Sequence, residues 1–126
     1  MPHRFAIGVV DDDPSVREAL KGLLRAAGFS VEVFSSAEEF LTSGDLEDTA
    51  CLILDVRMPG MSGFDLQERL KASRAPMPVI FITADEDRDV RTRALADGAV
   101  DFLQKPFKEQ ALLSAIEKAL GHLPSS

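Results

Sequence analysis

The sequence predicts an α/β fold: a doubly wound, five-stranded parallel sheet with five helices. Three observations carry this. Five short apolar runs alternate with five helical patterns, which implies βαβ units and a sheet covered on both faces. The runs are rich in β-branched and aromatic residues, as strands buried on both faces are. Polar residues stand where the runs end: Asp11 and Asp12, then Asp55, Thr83 and Lys105. In an open α/β sheet, ligands bind outside the carboxyl ends of the strands.

The expected strands are Phe5–Val10, Ser30–Phe34, Ala50–Leu54, Pro78–Ile82 and Val100–Gln104. The first helix begins with Asp13 as cap and Pro14 at the first helical position. It places Val16, Leu20, Leu23, Leu24 and Ala27 on one face and stops at Gly28. The second opens on Ser36-Ala37-Glu38-Glu39, a capping-box pattern, and turns Phe40 and Leu41 inward. The third opens at Ser62, with Leu66 and Leu70 one turn apart. The fourth, over 85–97, has only a thin apolar stripe of Val90, Ala94 and Leu95, so it is expected to dock weakly and to be a candidate moving part. An i,i+4 pair such as Asp89–Arg93 supports it as a solvated face. The last helix runs from about Lys108 to Leu120, with Leu112, Leu113, Ile116 and Leu120 inward.

A chain of 126 residues has the usual size of one domain and can bury a full core. The domain is expected over 1–121, with 122–126 a tail or the start of a linker. Hydrophobic content of 45% and charged content of 28% are those of an ordinary globular domain. A formal net charge of −7 argues against direct nucleic-acid binding by this domain and against gripping an anionic membrane. The single cysteine, Cys51, lies inside an apolar run and reads as a small buried hydrophobe in a reducing compartment. Met1-Pro2-His3-Arg4 shows no signal segment, and no apolar stretch is long enough to span a bilayer, so a cytoplasmic location is expected. His3 and His122 have no ligand partner at helical spacing.

Asp11 and Asp12 sit on the first strand-to-helix turn, and Asp55 should lie beside them because the first and third strands neighbour each other in this topology. Two carboxylates ~4–5 Å apart repel by roughly 3–4 kcal/mol at an effective dielectric near 20. Three so close call for a cation between them, and oxygen-only ligands with room for water suit Mg²⁺. Asp13 is sufficiently explained as a helix cap; one cap does not explain the pair Asp11-Asp12. Asp55 is either a third ligand only or a nucleophile that forms an acyl phosphate. Such an attack requires neutralisation of the phosphoryl oxygens, which Mg²⁺, the Lys105 ammonium and the Thr83 hydroxyl with nearby backbone N–H groups would supply.

The motifs Val9-Val10-Asp11-Asp12, Leu54-Asp55-Val56-Arg57-Met58-Pro59-Gly60-Met61-Ser62-Gly63, Phe81-Ile82-Thr83-Ala84 and Asp101-Phe102-Leu103-Gln104-Lys105-Pro106-Phe107 resemble those of the receiver domain of two-component response regulators. The resemblance covers nearly the whole chain, with all four motifs in order, and its wording is nearest to FixJ-type receivers, which precede a helix-turn-helix DNA-binding domain. It implies the flavodoxin-like strand order 2-1-3-4-5. It implies Asp55 as phosphoacceptor, Asp12 as a direct Mg²⁺ ligand, Asp11 as a ligand through water, and the Arg57 carbonyl as a further ligand. Thr83 and the backbone of Ala84 and Val56 are implied to hold the phosphoryl group, and Lys105 to pair with it. Lys105-Pro106 is implied to be a cis peptide, which proline permits. Phe102 matches a switch aromatic that swings inward as Thr83 moves.

By the same resemblance a sensor histidine kinase donates the phosphoryl group, and the surface of the fourth helix, fifth strand and fifth helix changes its partners, with a phosphorylation-dependent homodimer as one outcome. Phe102 lacks the hydroxyl of a tyrosine, so its inward state is less opposed. The stretch after Thr83-Ala84 is more acidic than the FixJ-type pattern. Arg57 and Asp85, each two residues beyond a site residue, are expected to pair across the mouth and slow dephosphorylation; two solvated charges are the alternative. An aspartyl phosphohydrolase would need an acid where Arg57 stands. A flavin module would need a Gly/Ser/Thr-rich loop where Asp11-Asp12-Asp13 stands. An interaction-only receiver would not need the complete set.

Overall fold

The computed structural model describes residues 6–44, 48–73, 77–84 and 88–121. In chain order the elements are β1 (Ala6–Val10), α1 (Pro14–Ala26), β2 (Ser30–Phe34), α2 (Ala37–Ser43), β3 (Thr49–Asp55), α3 (Gly63–Lys71), β4 (Val79–Thr83), α4 (Arg88–Ala96), β5 (Asp101–Gln104) and α5 (Glu109–Leu120). All strand pairs are parallel, and the sheet order is β2-β1-β3-β4-β5. This is the doubly wound order expected from the sequence.

Alternation along the strands divides the core in two. Val10, Leu52, Leu54 and Phe81 face the layer of Phe40, Leu66, Leu70, Val90 and Ala94, from α2, α3 and α4. Ile7, Val9, Ile53, Ile80 and Ile82 face Leu20 and Leu24 of α1 and Leu112 and Ile116 of α5. Cys51 belongs to this second layer and is fully buried, and burial pushes its thiol up to about 12, which leaves it inert.

Two strands run one residue further than their apolar runs imply. Asp55 and Thr83 close β3 and β4 from within the ladder, where Asp55 pairs with Ile82 and Thr83 with Gln104. These two residues are thereby fixed within the sheet and not left on loops.

The helix starts differ in detail from the sequence patterns. Asp13 caps α1 by accepting from Ser15 N at 2.8 Å. At α2, Ser36 Oγ accepts from Glu39 N at 3.0 Å, but the Glu39 carboxylate reaches Ser35 N at 2.6 Å instead of closing a capping box on Ser36. The reciprocal box occurs at α3, between Ser62 and Asp65. On α4, Val90 and Ala94 are buried while Leu95 is exposed. Arg93 Nε pairs with Asp97 Oδ2 at 3.8 Å in an i,i+4 contact, and the Arg93 guanidinium also lies 4.2 Å from the centre of the Phe64 ring. The expected start of this helix at Asp85 falls outside the described residues.

Candidate functional site

Parallel strands of one sheet end on one rim, and four strand ends bring the charged residues together there. Asp11 follows β1 and is completely buried, Asp12 beside it is exposed, and Asp55 closes β3 with 5% exposure. Oxygens of the three carboxylates lie within 4.8 Å of one another. Lys105, following β5, places Nζ 2.8 Å from Asp11 Oδ2 and 3.4 Å from Asp55 Oδ2. Thr83 closes β4 and is buried. Its carbonyl accepts from Lys105 N at 2.7 Å, which ties the lysine's backbone to the same rim.

Asp11 is held at every polar atom. Its backbone N–H donates to Phe34 O at 3.2 Å, Oδ1 accepts from Asp13 N at 2.9 Å, and Oδ2 accepts from Lys105. Its carbonyl accepts from Arg17 Nη1 at 2.7 Å. Arg17 was not singled out by sequence reasoning. The available signal was a cation in the early turns of a helix, where the dipole disfavours one, close to three carboxylates.

Burial and the neighbouring Asp11 charge raise the Asp55 carboxyl from the ordinary carboxylate range to about 6, against the lowering pull of Lys105 and of the Arg57 N–H. Burial pulls the Lys105 ammonium down, but the Asp11 hydrogen bond and the charges of Asp55 and Asp11 outweigh it, so the lysine stays protonated. The group carries more negative than positive charge and is a ready cation site. Three clustered carboxylates, all oxygen donors, fit Mg²⁺ better than a soft metal.

The two backbone groups after Asp55 are used differently. Val56 N–H donates to Ile82 O at 3.0 Å as part of the sheet ladder, whereas the resemblance implies that the Val56 backbone helps to hold the phosphoryl group. The N–H that faces Asp55 Oδ1, at 3.3 Å, is that of Arg57, for which the sequence suggests a role for the carbonyl and the side chain but not for the N–H. The chain then turns sharply into α3. A Cβ on Gly63 would stand 2.3 Å from the Asp55 carbonyl oxygen, so only glycine lets α3 start this close to the site.

Ala84 is exposed at the end of β4. The Lys105–Pro106 peptide is cis. Phe102 on β5 is buried at 8% exposure, within the layer that contains Phe64, Phe81, Val90 and Ala94. Asp85, the expected partner of Arg57, lies outside the described residues, as do His3 and His122. Among the described residues no helix is long and apolar enough to cross a membrane.

Residues 7–117 match the response regulator receiver domain family. The chain belongs to that family. Among relatives of this receiver, the response regulator protein TodT of Pseudomonas putida is 49% identical over 118 residues, covering 94% of this chain and 52% of TodT. The transcriptional regulatory protein FixJ of Azorhizobium caulinodans is 42% identical over 121 residues, covering 96% of this chain and 57% of FixJ. The solved structure of the response regulator StyR superposes with a TM-score of 0.86 at 53% identity, covering 94% of this chain and 60% of that one. The receiver thus spans about half the length of the curated relatives it matches. Receivers are signalling switches rather than enzymes in general, and phosphorylation by a sensor kinase is typical of the family.

Proposed function

We propose that Asp55 is the phosphoacceptor of this receiver, with Asp11, Asp12, Asp55 and the Arg57 carbonyl holding Mg²⁺. The observation that carries the reading is the Lys105 ammonium lodged between Asp11 and Asp55, within the same group of three carboxylates. When bound, Mg²⁺ neutralises charge on the carboxylates and on the incoming phosphoryl oxygens. An Asp55 oxygen forms the new P–O bond as the P–N bond to a kinase imidazole breaks, with the electron pair leaving on nitrogen. Lys105, the Thr83 hydroxyl and the N–H groups of Ala84 and Arg57 take the phosphoryl oxygens. Hydrolysis of the acyl phosphate by water resets the switch in the same site.

An apolar hollow of about 510 Å³ adjoins the site, lined by Val16, Leu20 and Leu23 of α1 and by Pro106 and Phe107. Lys105 and Ala84 line it too, so a kinase helix seated there would bring its phosphohistidine to Asp55. Phosphorylation shifts Thr83, and Phe102 with it, which alters the α4-β5-α5 surface and favours a homodimer or another partner. The receiver occupies 1–121 with 122–126 as tail or linker, acts in the cytoplasm, and serves as the N-terminal part of a transcription regulator.

Incubation with Mg²⁺ and a small acyl phosphate, followed by intact mass measurement, tests the reading. The expected result is one labile phosphoryl adduct on the wild type and none on Asp55→Asn. A wild type that stays unmodified overturns it. Size exclusion with beryllofluoride reports whether the switched surface dimerises.

A further inference from the structure

We infer that Glu38 is a positioning residue for the Mg²⁺ and phosphoryl site, acting from α2 through the loop between β3 and α3; this rests on the receiver function proposed above. That loop contains Arg57, whose carbonyl and N–H both serve the site in that reading. Its near end is fixed by the Arg57 N–H on Asp55 Oδ1 at 3.3 Å, and by Gly63 N on Val56 O at 2.9 Å. Its far end is fixed by the Ser62–Asp65 box. Between them, Met61 N–H donates to Glu38 Oε2 at 3.2 Å, across 23 positions of sequence.

Gly60 shows that the contact is built into the backbone. Its φ is +77°, a left-handed conformation that glycine adopts without cost, and a Cβ there would stand 2.7 Å from Glu38 Oε2. One glycine therefore meets two needs: it turns the Met61 N–H toward α2, and it leaves room for the carboxylate to reach it. Glu38 is not occupied at its own helix start, where Ser36 caps Glu39 N and the Glu39 carboxylate takes Ser35. The two adjacent glutamates divide the work: Glu39 serves the helix and Glu38 reaches the loop.

The direction in which the Arg57 carbonyl points depends on the loop dihedrals, and a charge-assisted bond in mid-loop restricts them. Partners that orient metal ligands from outside tune affinity by roughly 10–100-fold. Glu38 is exposed and acts four residues from Arg57, so a loss of about three- to tenfold in Mg²⁺ affinity is expected.

The test is an Mg²⁺ titration followed by the amide NMR shifts of Asp12 and Arg57, with hydrogen exchange at Met61 and thermal unfolding recorded alongside. Glu38→Ala should weaken Mg²⁺ binding by that factor and speed Met61 exchange without lowering the melting temperature enough to unfold the protein. Glu38→Gln keeps an oxygen acceptor and should restore most of the affinity. Gly60→Ala breaks the same contact from the loop side and should reproduce the loss. Wild-type affinity in Glu38→Ala, or a Gln variant as weak as the Ala variant, overturns the inference. A wild type that takes no phosphoryl group from an acyl phosphate removes the receiver function and this inference together. Labelling of the wild type with unchanged Mg²⁺ affinity in the variants removes only the role of Glu38.

Discussion

The Lys105 ammonium lies closer to Asp11, at 2.8 Å, than to Asp55, at 3.4 Å, although 94 positions separate Lys105 from Asp11 in sequence. Before any phosphoryl group arrives, the lysine neutralises the buried carboxylate at the end of β1. Asp11 has no exposure to water, so Lys105 and its backbone hydrogen bonds stand where water would around its carboxylate.

Replacing the lysine should therefore affect stability as well as the proposed phosphoryl transfer. Lys105→Met should destabilise the metal-free protein by about 2–4 kcal/mol, because it leaves a buried carboxylate without its counter-charge. Mg²⁺ bound as proposed would supply charge at the same place, so added Mg²⁺ should restore more stability to this variant than to the wild type. Urea unfolding with Mg²⁺ and with chelator measures both effects; equal stability of variant and wild type in chelator refutes the account.

The raised Asp55 carboxyl gives a pH signature. Its folded value is about 6 against 3.8 for the free group, so the folded state holds this proton more tightly than the unfolded chain does. The stability this group contributes is fully present below about 4 and is lost as pH rises through about 6. Ionised Asp55 then costs up to about 3 kcal/mol at neutral pH without metal. Asp55→Asn should be more stable than the wild type at pH 7–8 in chelator, with the gain fading toward pH 4. Mg²⁺ at about ten times its Kd should stabilise the wild type by about 1.4 kcal/mol and the variant by less. Unfolding curves from pH 4 to 8 decide it, and a gain that grows toward acid contradicts the assignment.

The fourth helix is held to the body by few side chains. Val90 and Ala94 are its buried residues, and the Arg93 guanidinium stacks on Phe64 of α3. Such a stack contributes ~0.5–1 kcal/mol. Arg93→Ala should speed amide exchange in α4 by about threefold while α5, with Leu112, Ala115, Ile116 and Ala119 buried, is unchanged. Equal acceleration in both helices would mean global rather than local loosening.

The strands and the residues gathered on one rim were legible in the sequence for one reason. A strand buried on both faces must be apolar throughout, so the first polar residue after the run marks its end, and in a parallel sheet those ends share a rim. Less legible was how each polar atom is used. The capping box belongs to Ser62 and Asp65, although Ser36 and Glu39 have matching spacing. Val56 N–H is consumed by the ladder and Arg57 N–H is not, a difference of one position that depends on where β4 stops pairing. Gln67 reads as an ordinary polar position on α3, yet it is 4% exposed with Oε1 unpaired among the described residues, because the packing of α3 covers it.

The sequence alone determined the α/β class, the order of elements and the placing of Asp11, Asp12, Asp55, Thr83 and Lys105 at strand ends, because hydrophobic period and strand-end polarity are local properties of the chain. Tertiary structure alone decided that Lys105 rests first on Asp11, that Arg17 holds the Asp11 carbonyl and that Glu38 holds the Met61 N–H. Each of those is a hydrogen bond between different elements or across a turn. Its geometry depends on how the layers pack, which no spacing within one segment encodes.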